Sequence, residues 1–206
     1  IFPLSSSVYL RLNGSSSNAG NYETGSGIKP LTEYSTTDYT AILGTLLSDG
    51  SKLEFNYTNN RQDKVGYPGL TMDIVYSYTD MYTVKYHRVT PFGMFSSMNV
   101  ELFNTDIDHL MDNVVLRGNT GNGVMSWPTA SDTYGGRIIG TIGSDIRAGI
   151  DYEHNTKDAE QNMVMSGMNV FMTYLWPGVE TEKLGLFFEK DLNNISFGLR
   201  YDQVEL

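Results

Sequence analysis

His109 and Met111 stand two residues apart in the stretch Phe103-Asn104-Thr105-Asp106-Ile107-Asp108-His109-Leu110-Met111-Asp112-Asn113-Val114-Val115-Leu116-Arg117. An imidazole nitrogen and a thioether sulfur at that spacing can hold one soft ion, and the thioether favours Cu(I) over magnesium or calcium. If the chain is extended from Glu101, the odd positions Glu101, Phe103, Thr105, Ile107, His109 and Met111 share one face, opposite Val100 and Leu102. Two ligands make an incomplete site. Met125, further along the same connection, can fold back to join the pair or act as a loop anchor. Asp108, Asp112 and Asn113 are expected to position the loop, with Asp112 the weaker ligand candidate. The plain alternative is an ordinary loop that packs without metal.

Other chemistry is thinly represented. Asp108-His109 superficially offers a hydrolytic pair, but neighbours on an extended chain point to opposite faces, so Asp108 cannot orient the imidazole and no enzyme is expected. His87 and His154 have no close His or Met partner in sequence and read as structural. Four methionines, Met163, Met165, Met168 and Met172, crowd before Trp176-Pro177-Gly178. They could pass Cu(I) inward through weak successive sites, or form a flexible apolar tip. The chain has no cysteine, which excludes disulfides and thiolate metal sites. A net charge of −10 argues against nucleic acid as a partner, and either favours cations near the loops or serves simple solubility. Asn13-Gly14-Ser15-Ser16 lacks the lysine and following helix of a phosphate loop, and the Asn56-Tyr57-Thr58 sequon falls inside a strand pattern.

The elements that must carry His109 and Met111 follow from a rhythm of turns. Ser48-Asp49-Gly50-Ser51, Thr90-Pro91-Phe92-Gly93, Gly143-Ser144-Asp145 and Asp191-Leu192-Asn193-Asn194 have hairpin-turn composition. They alternate with long connections near 14–35, 59–75, 105–132 and 154–180. Between them, side-chain character alternates with a period of two. Ile195, Phe197, Leu199 and Tyr201 oppose Ser196, Gly198, Arg200 and Asp202, and Ile146, Ala148, Ile150 and Tyr152 oppose Arg147, Gly149, Asp151 and Glu153. Short turns at one end and long loops at the other describe an antiparallel transmembrane β-barrel. All six prolines are expected at the chain start, in turns or in loops. No apolar run approaches the roughly 18 residues of a membrane-spanning helix. A soluble β-sandwich shares the alternation, but its core would not be lined by Arg147, Asp151, Glu189 and Arg200. The pattern yields about nine strands, an odd number that does not close a single-chain bacterial barrel. With Ile1-Phe2-Pro3 at one end and Val204-Glu205-Leu206 at the other, the chain reads as an interior piece of a larger barrel.

The motif from Phe103 to Arg117, then Met125, Pro128-Thr129 and Thr133-Tyr134-Gly135-Gly136-Arg137, resembles the TonB-dependent outer-membrane receptors, in particular their copper-receptor branch. The Gly66-Tyr67-Pro68-Gly69-Leu70-Thr71-Met72-Asp73 segment is similar to another loop of that family. The resemblance implies that residues 1–206 are a partial barrel domain, cut from a wall of about 22 strands in the bacterial outer membrane. It implies a copper ion as cargo, with His109 and Met111 on the barrel side. It also implies a plug domain supplying a Cys and a Met ligand, and a TonB complex acting through that plug. Both partners lie outside this sequence, as does the rest of the barrel in its lipid. The same barrel could instead serve a siderophore or another metal chelate, or be a passive porin or adhesin. The scarcity of Arg and Lys in the loops leans toward a bare cation.

Overall fold

The computed structural model describes residues 2–119, 123–164, 171–192 and 194–206. Ten strands follow one another: β1 (Phe2–Pro3), β2 (Val8–Ala19), β3 (Tyr34–Leu46), β4 (Lys52–Val65), β5 (Asp73–Arg88), β6 (Ser97–Asp112), β7 (Val124–Ile142), β8 (Ile146–Val164), β9 (Phe171–Leu192) and β10 (Ile195–Glu205). Each pairs antiparallel with the next, giving a single all-β meander in the order β1 to β10. The strand beyond the expected nine is β1, two residues at an edge, where Phe2 and Pro3 face Leu10 and Tyr9. A proline without an N–H is tolerated at such an edge.

The expected alternation separates two faces. Phe55, Val84, Leu102, Ile138, Ile150, Leu186 and Leu199 share the outer one and remain exposed, Leu102 at 54% and Leu199 at 74%. No second sheet covers them among the described residues, so the sandwich reading has no counterpart. An uncovered apolar band on a hydrogen-bonded sheet suits hydrocarbon as its solvent. The other, concave face carries ion pairs between neighbouring strands: Lys85–Glu101 at 3.4 Å, Lys183–Glu153 at 2.9 Å, Arg200–Asp151 at 3.0 Å and Arg147–Glu189. Each is open to solvent and contributes at most about 1 kcal/mol, which fits a wetted lumen wall rather than a core. Gly44 lets the Tyr9 ring cross this face, because a Cβ there would lie 2.2 Å from the ring. The Tyr9 hydroxyl then reaches Glu54.

Of the long connections expected at 14–35, 59–75, 105–132 and 154–180, the last three are for the most part strand. The described strands run on into them, β2 to Ala19, β4 to Val65, β6 to Asp112, β7 from Val124, β8 to Val164 and β9 from Phe171. About 9–11 tilted residues cross a bilayer, whereas β7, β8 and β9 have 19, 19 and 22. An aromatic row marks the upper limit of the apolar band: Tyr57 stacks on Tyr82 at 5.0 Å, and Tyr134 on His154 at 4.8 Å. The next outward row, Asn59, Asp80, Asp106 and Asp132, is polar. Above that row both faces meet water, so the sequence loses its alternation although the ladder continues.

Two prolines expected in loops lie in strands. Pro128 pairs with Leu110 on one side, while on the other the β7–β8 ladder passes from Ser126 to Thr129 without it, as a missing N–H requires. Pro177 sits in an irregular stretch of β9 that Gly178 relieves at φ 59°. A further bulge lies in β5: Ile74 faces Met111 and Tyr76 faces Leu110, so Val75 is surplus. The β4–β5 register is in step on both sides of this point, and Lys64 in β4 adopts φ 54° there.

Candidate functional site

Strand β6 pairs without interruption with β7 up to Asp112↔Ser126. Strict alternation therefore places His109 and Met111 on the concave face with Glu101 and Phe103, as expected from the sequence. His109 lies between Ser77 and Thr129, and Met111 between Ile74 and Trp127. Both are half-buried. They stand above the aromatic row, at the end of the wall where strands become loops. Among the described residues neither nitrogen of His109 has a hydrogen-bond partner, so the ring is free to ligate.

The chain after Met111 is held by its own polar side chains. The buried Asp112 carboxylate accepts from the backbone N–H of Val114 at 3.0 Å and of Val115 at 2.9 Å. This is a local cap that turns the chain at the strand end. It occupies Asp112 as a loop-positioning group and weighs against it as a ligand. Asn113 bridges the hairpin: its Nδ2 donates to Gly123 O at 2.7 Å, and its Oδ1 accepts from Met125 N at 2.8 Å. Its own backbone N–H donates to Met125 O at 3.2 Å. Met125 is thereby fixed beside the end of β6, on the face of Trp127, and across β8 it pairs with Met163. Of the other crowded methionines, Met172 is exposed in β9, while Met165 and Met168 lie outside the described residues.

A second clasp joins the 66–72 loop to this turn. Asp73 is fully buried and receives Arg117 Nε at 2.7 Å, Arg117 Nη2 at 2.9 Å and Tyr67 N at 2.8 Å. Arg117 Nη2 also donates to Tyr67 O at 2.9 Å. Removing one partner of such a buried pair costs about 3–5 kcal/mol. Beside it, Met72 and Ile74 are two of the three buried apolar residues among those described. Ile74 is not identifiable from sequence as a neighbour of the candidate site, because the bulge at Val75 brings it onto the face of Met111. Trp127 is likewise not legible as a neighbour, since only the hairpin register sets its place opposite Met111.

The remaining candidates separate. Asp108 points away from His109 and accepts from the Tyr76 hydroxyl at 3.3 Å, so the two do not form a hydrolytic pair. His87 contacts Asn99 on the concave face. His154, expected at the start of a loop, lies inside β8, stacked on Tyr134 with Thr156 at 3.2 Å and Glu182 at 3.4 Å. Among the described residues no three His, Asp or Glu side chains converge as a metal-binding group.

No protein-family model matches this sequence. No curated protein matches it either. A solved structure does resemble its fold: the copper transporter OprC superimposes with a TM-score of 0.79 at 18% sequence identity, over 96% of this chain and 33% of that one. The likeness is one of architecture, and by it this ten-stranded meander corresponds to about a third of the length of that transporter chain.

Proposed function

We propose that this chain is part of the barrel wall of a bacterial outer-membrane receptor of the TonB-dependent type, and that the receptor binds and imports copper. His109 and Met111 are the wall's ligands, with Met125 as a third donor on the same face. The observation that carries this reading is the placement of an unengaged imidazole and a thioether side by side on the concave face, above the apolar band, on a strand end fixed by Asp112 and Asn113. Soft donors without a converging carboxylate suit Cu(I) and disfavour hard divalent ions. The fold shared with a copper transporter supports the same assignment. The remaining ligands and the energy coupling belong to a plug domain and, through it, to a TonB complex, with copper as cargo. Nothing in the wall is assigned to catalysis.

The test is metal binding by the complete protein in detergent. Stoichiometric Cu(I) that is lost in the His109→Ala/Met111→Ala double variant is the expected result. Copper bound equally by both proteins would remove the pair from the site. No copper in the parent would turn the search to metal chelates, siderophores among them.

A further inference from the structure

We infer that Trp127 is a specificity-determining residue of this site, its indole face covering a soft monovalent cation held by His109 and Met111. This rests on the metal-site reading above and adds a residue and a selectivity to it. Trp127 is the direct cross-strand partner of Met111, and the β6–β7 register runs unbroken through Leu110↔Pro128 and His109↔Thr129. Paired side chains on an antiparallel ladder have Cβ atoms about 5 Å apart, and diagonal ones about 7–8 Å, within reach of an aromatic ring. Trp127 therefore adjoins Met111 directly and His109 diagonally, on the same concave face. Its Nε1 is buried without a hydrogen-bond acceptor among the described residues. An orphaned buried donor costs about 1–3 kcal/mol, so hydrogen bonding does not account for the indole's place here.

Charge balance gives the ring its task. The positions flanking His109 and Met111 on this face are Ser77, Ile74, Thr129 and Trp127, none of them a carboxylate. The nearby acids are engaged elsewhere, Asp73 by Arg117, Asp112 by backbone N–H groups, and Asp108 by the Tyr76 hydroxyl on the outer face. An imidazole and a thioether are neutral donors, so the wall's own ligands leave the charge of a bound cation uncompensated. The electron-rich face of an indole is the strongest aromatic partner for a cation, and desolvation strengthens it further. A singly charged, weakly hydrated ion gains from that face. A divalent ion still lacks the anionic oxygens it requires.

The experiment uses Ag(I), which is redox-inert, titrated into the complete protein in detergent and into its Trp127→Phe and Trp127→Leu variants. Phe keeps an aromatic face of weaker quadrupole, and Leu keeps only apolar bulk. The expected ordering is parent, then Phe about fivefold weaker, then Leu about thirtyfold weaker, the last corresponding to about 2 kcal/mol. Subtracting the Trp127→Phe fluorescence titration from that of the parent should leave a component that saturates with one Ag(I). Leu affinity equal to the parent's, or the absence of that component, would overturn the role of Trp127 while leaving His109 and Met111 as ligands. No Ag(I) binding by the parent, or binding unaffected by the His109→Ala/Met111→Ala substitution, would overturn both. If the Leu variant does not fold, as judged by heat-modifiable mobility, the Phe comparison and the fluorescence component decide alone.

Discussion

The Arg117 guanidinium grips the Asp73 carboxylate with two hydrogen bonds, Nε to Oδ2 at 2.7 Å and Nη2 to Oδ1 at 2.9 Å, across 44 positions of sequence. Two strand-end loops that are distant in the chain are thereby made into one unit, directly above the pair His109 and Met111. Arg117→Ala leaves Asp73 buried and unpaired, so the unit should loosen by about 3–5 kcal/mol. Hydrogen exchange should then rise in 66–72 and 113–119 and stay unchanged in the β6–β7 ladder below Thr105. Arg117→Lys should rescue little, because a single ammonium cannot reproduce the bidentate fork. Equal protection in parent and variant would show that the clasp does not organise these loops.

Asn113 makes a finer test of the same region. Its side chain holds both Gly123 O and Met125 N, and replacing it with Ala leaves those groups without their partner at a cost of about 1–3 kcal/mol. If Met125 is a ligand, Asn113→Ala should weaken Ag(I) binding several-fold with every proposed donor still present, and Met125→Leu should weaken it to a similar degree. If Met125 is only an anchor, Met125→Leu will leave the affinity unchanged.

Alternation along β6 also predicts a silent position. Asp108 lies next to His109 but on the outer face, bonded to the Tyr76 hydroxyl. Asp108→Asn should leave Ag(I) affinity within about twofold, since its charge sits across the sheet and in contact with water. A tenfold loss would mean that the two faces are not as separate as the ladder makes them.

The membrane assignment can be tested by one residue on each side of the wall. Leu102 is on the outer face and Thr105 on the concave one, in the same strand. Leu102→Arg should destabilise the barrel in lipid vesicles by about 2–4 kcal/mol, and Thr105→Arg by less than about 1 kcal/mol. Equal effects in a denaturant titration would refute an apolar solvent outside the sheet.

Much of this architecture was legible in the sequence, wherever one face meets lipid and the other water. Leu199 beside Arg200, or Ile150 beside Asp151, leaves little freedom in assigning faces. Legibility ended at the aromatic row. The stretch from Thr105 to Asp112 continues β6, yet with water on both sides its composition no longer reports the strand, and it reads as a loop. Pro128 and Pro177 reinforced that impression, because the sequence does not say which side of a proline lacks a ladder bond. For the site, the placement of His109 and Met111 on one face follows from counting by twos, and the structure agrees. Which residues stand across from them depends on hairpin register, and register is set by pairing between strands that no local pattern records. Trp127 and Ile74 are hidden for that reason.

The surplus residue Val75 also alters how the even-numbered positions of β5 are used. Below it, Tyr76, Tyr78, Tyr82 and Val84 belong to the outward surface, while above it Ile74 is turned to the inward side by its pairing with Met111. A one-residue deletion at this point would exchange the apolar flank of Met111 for its neighbours without altering any residue of the candidate site. Strand length, as much as residue identity, is therefore inherited information here: a wall of this design can gain or lose the surroundings of its candidate site through a single codon far from that site in sequence.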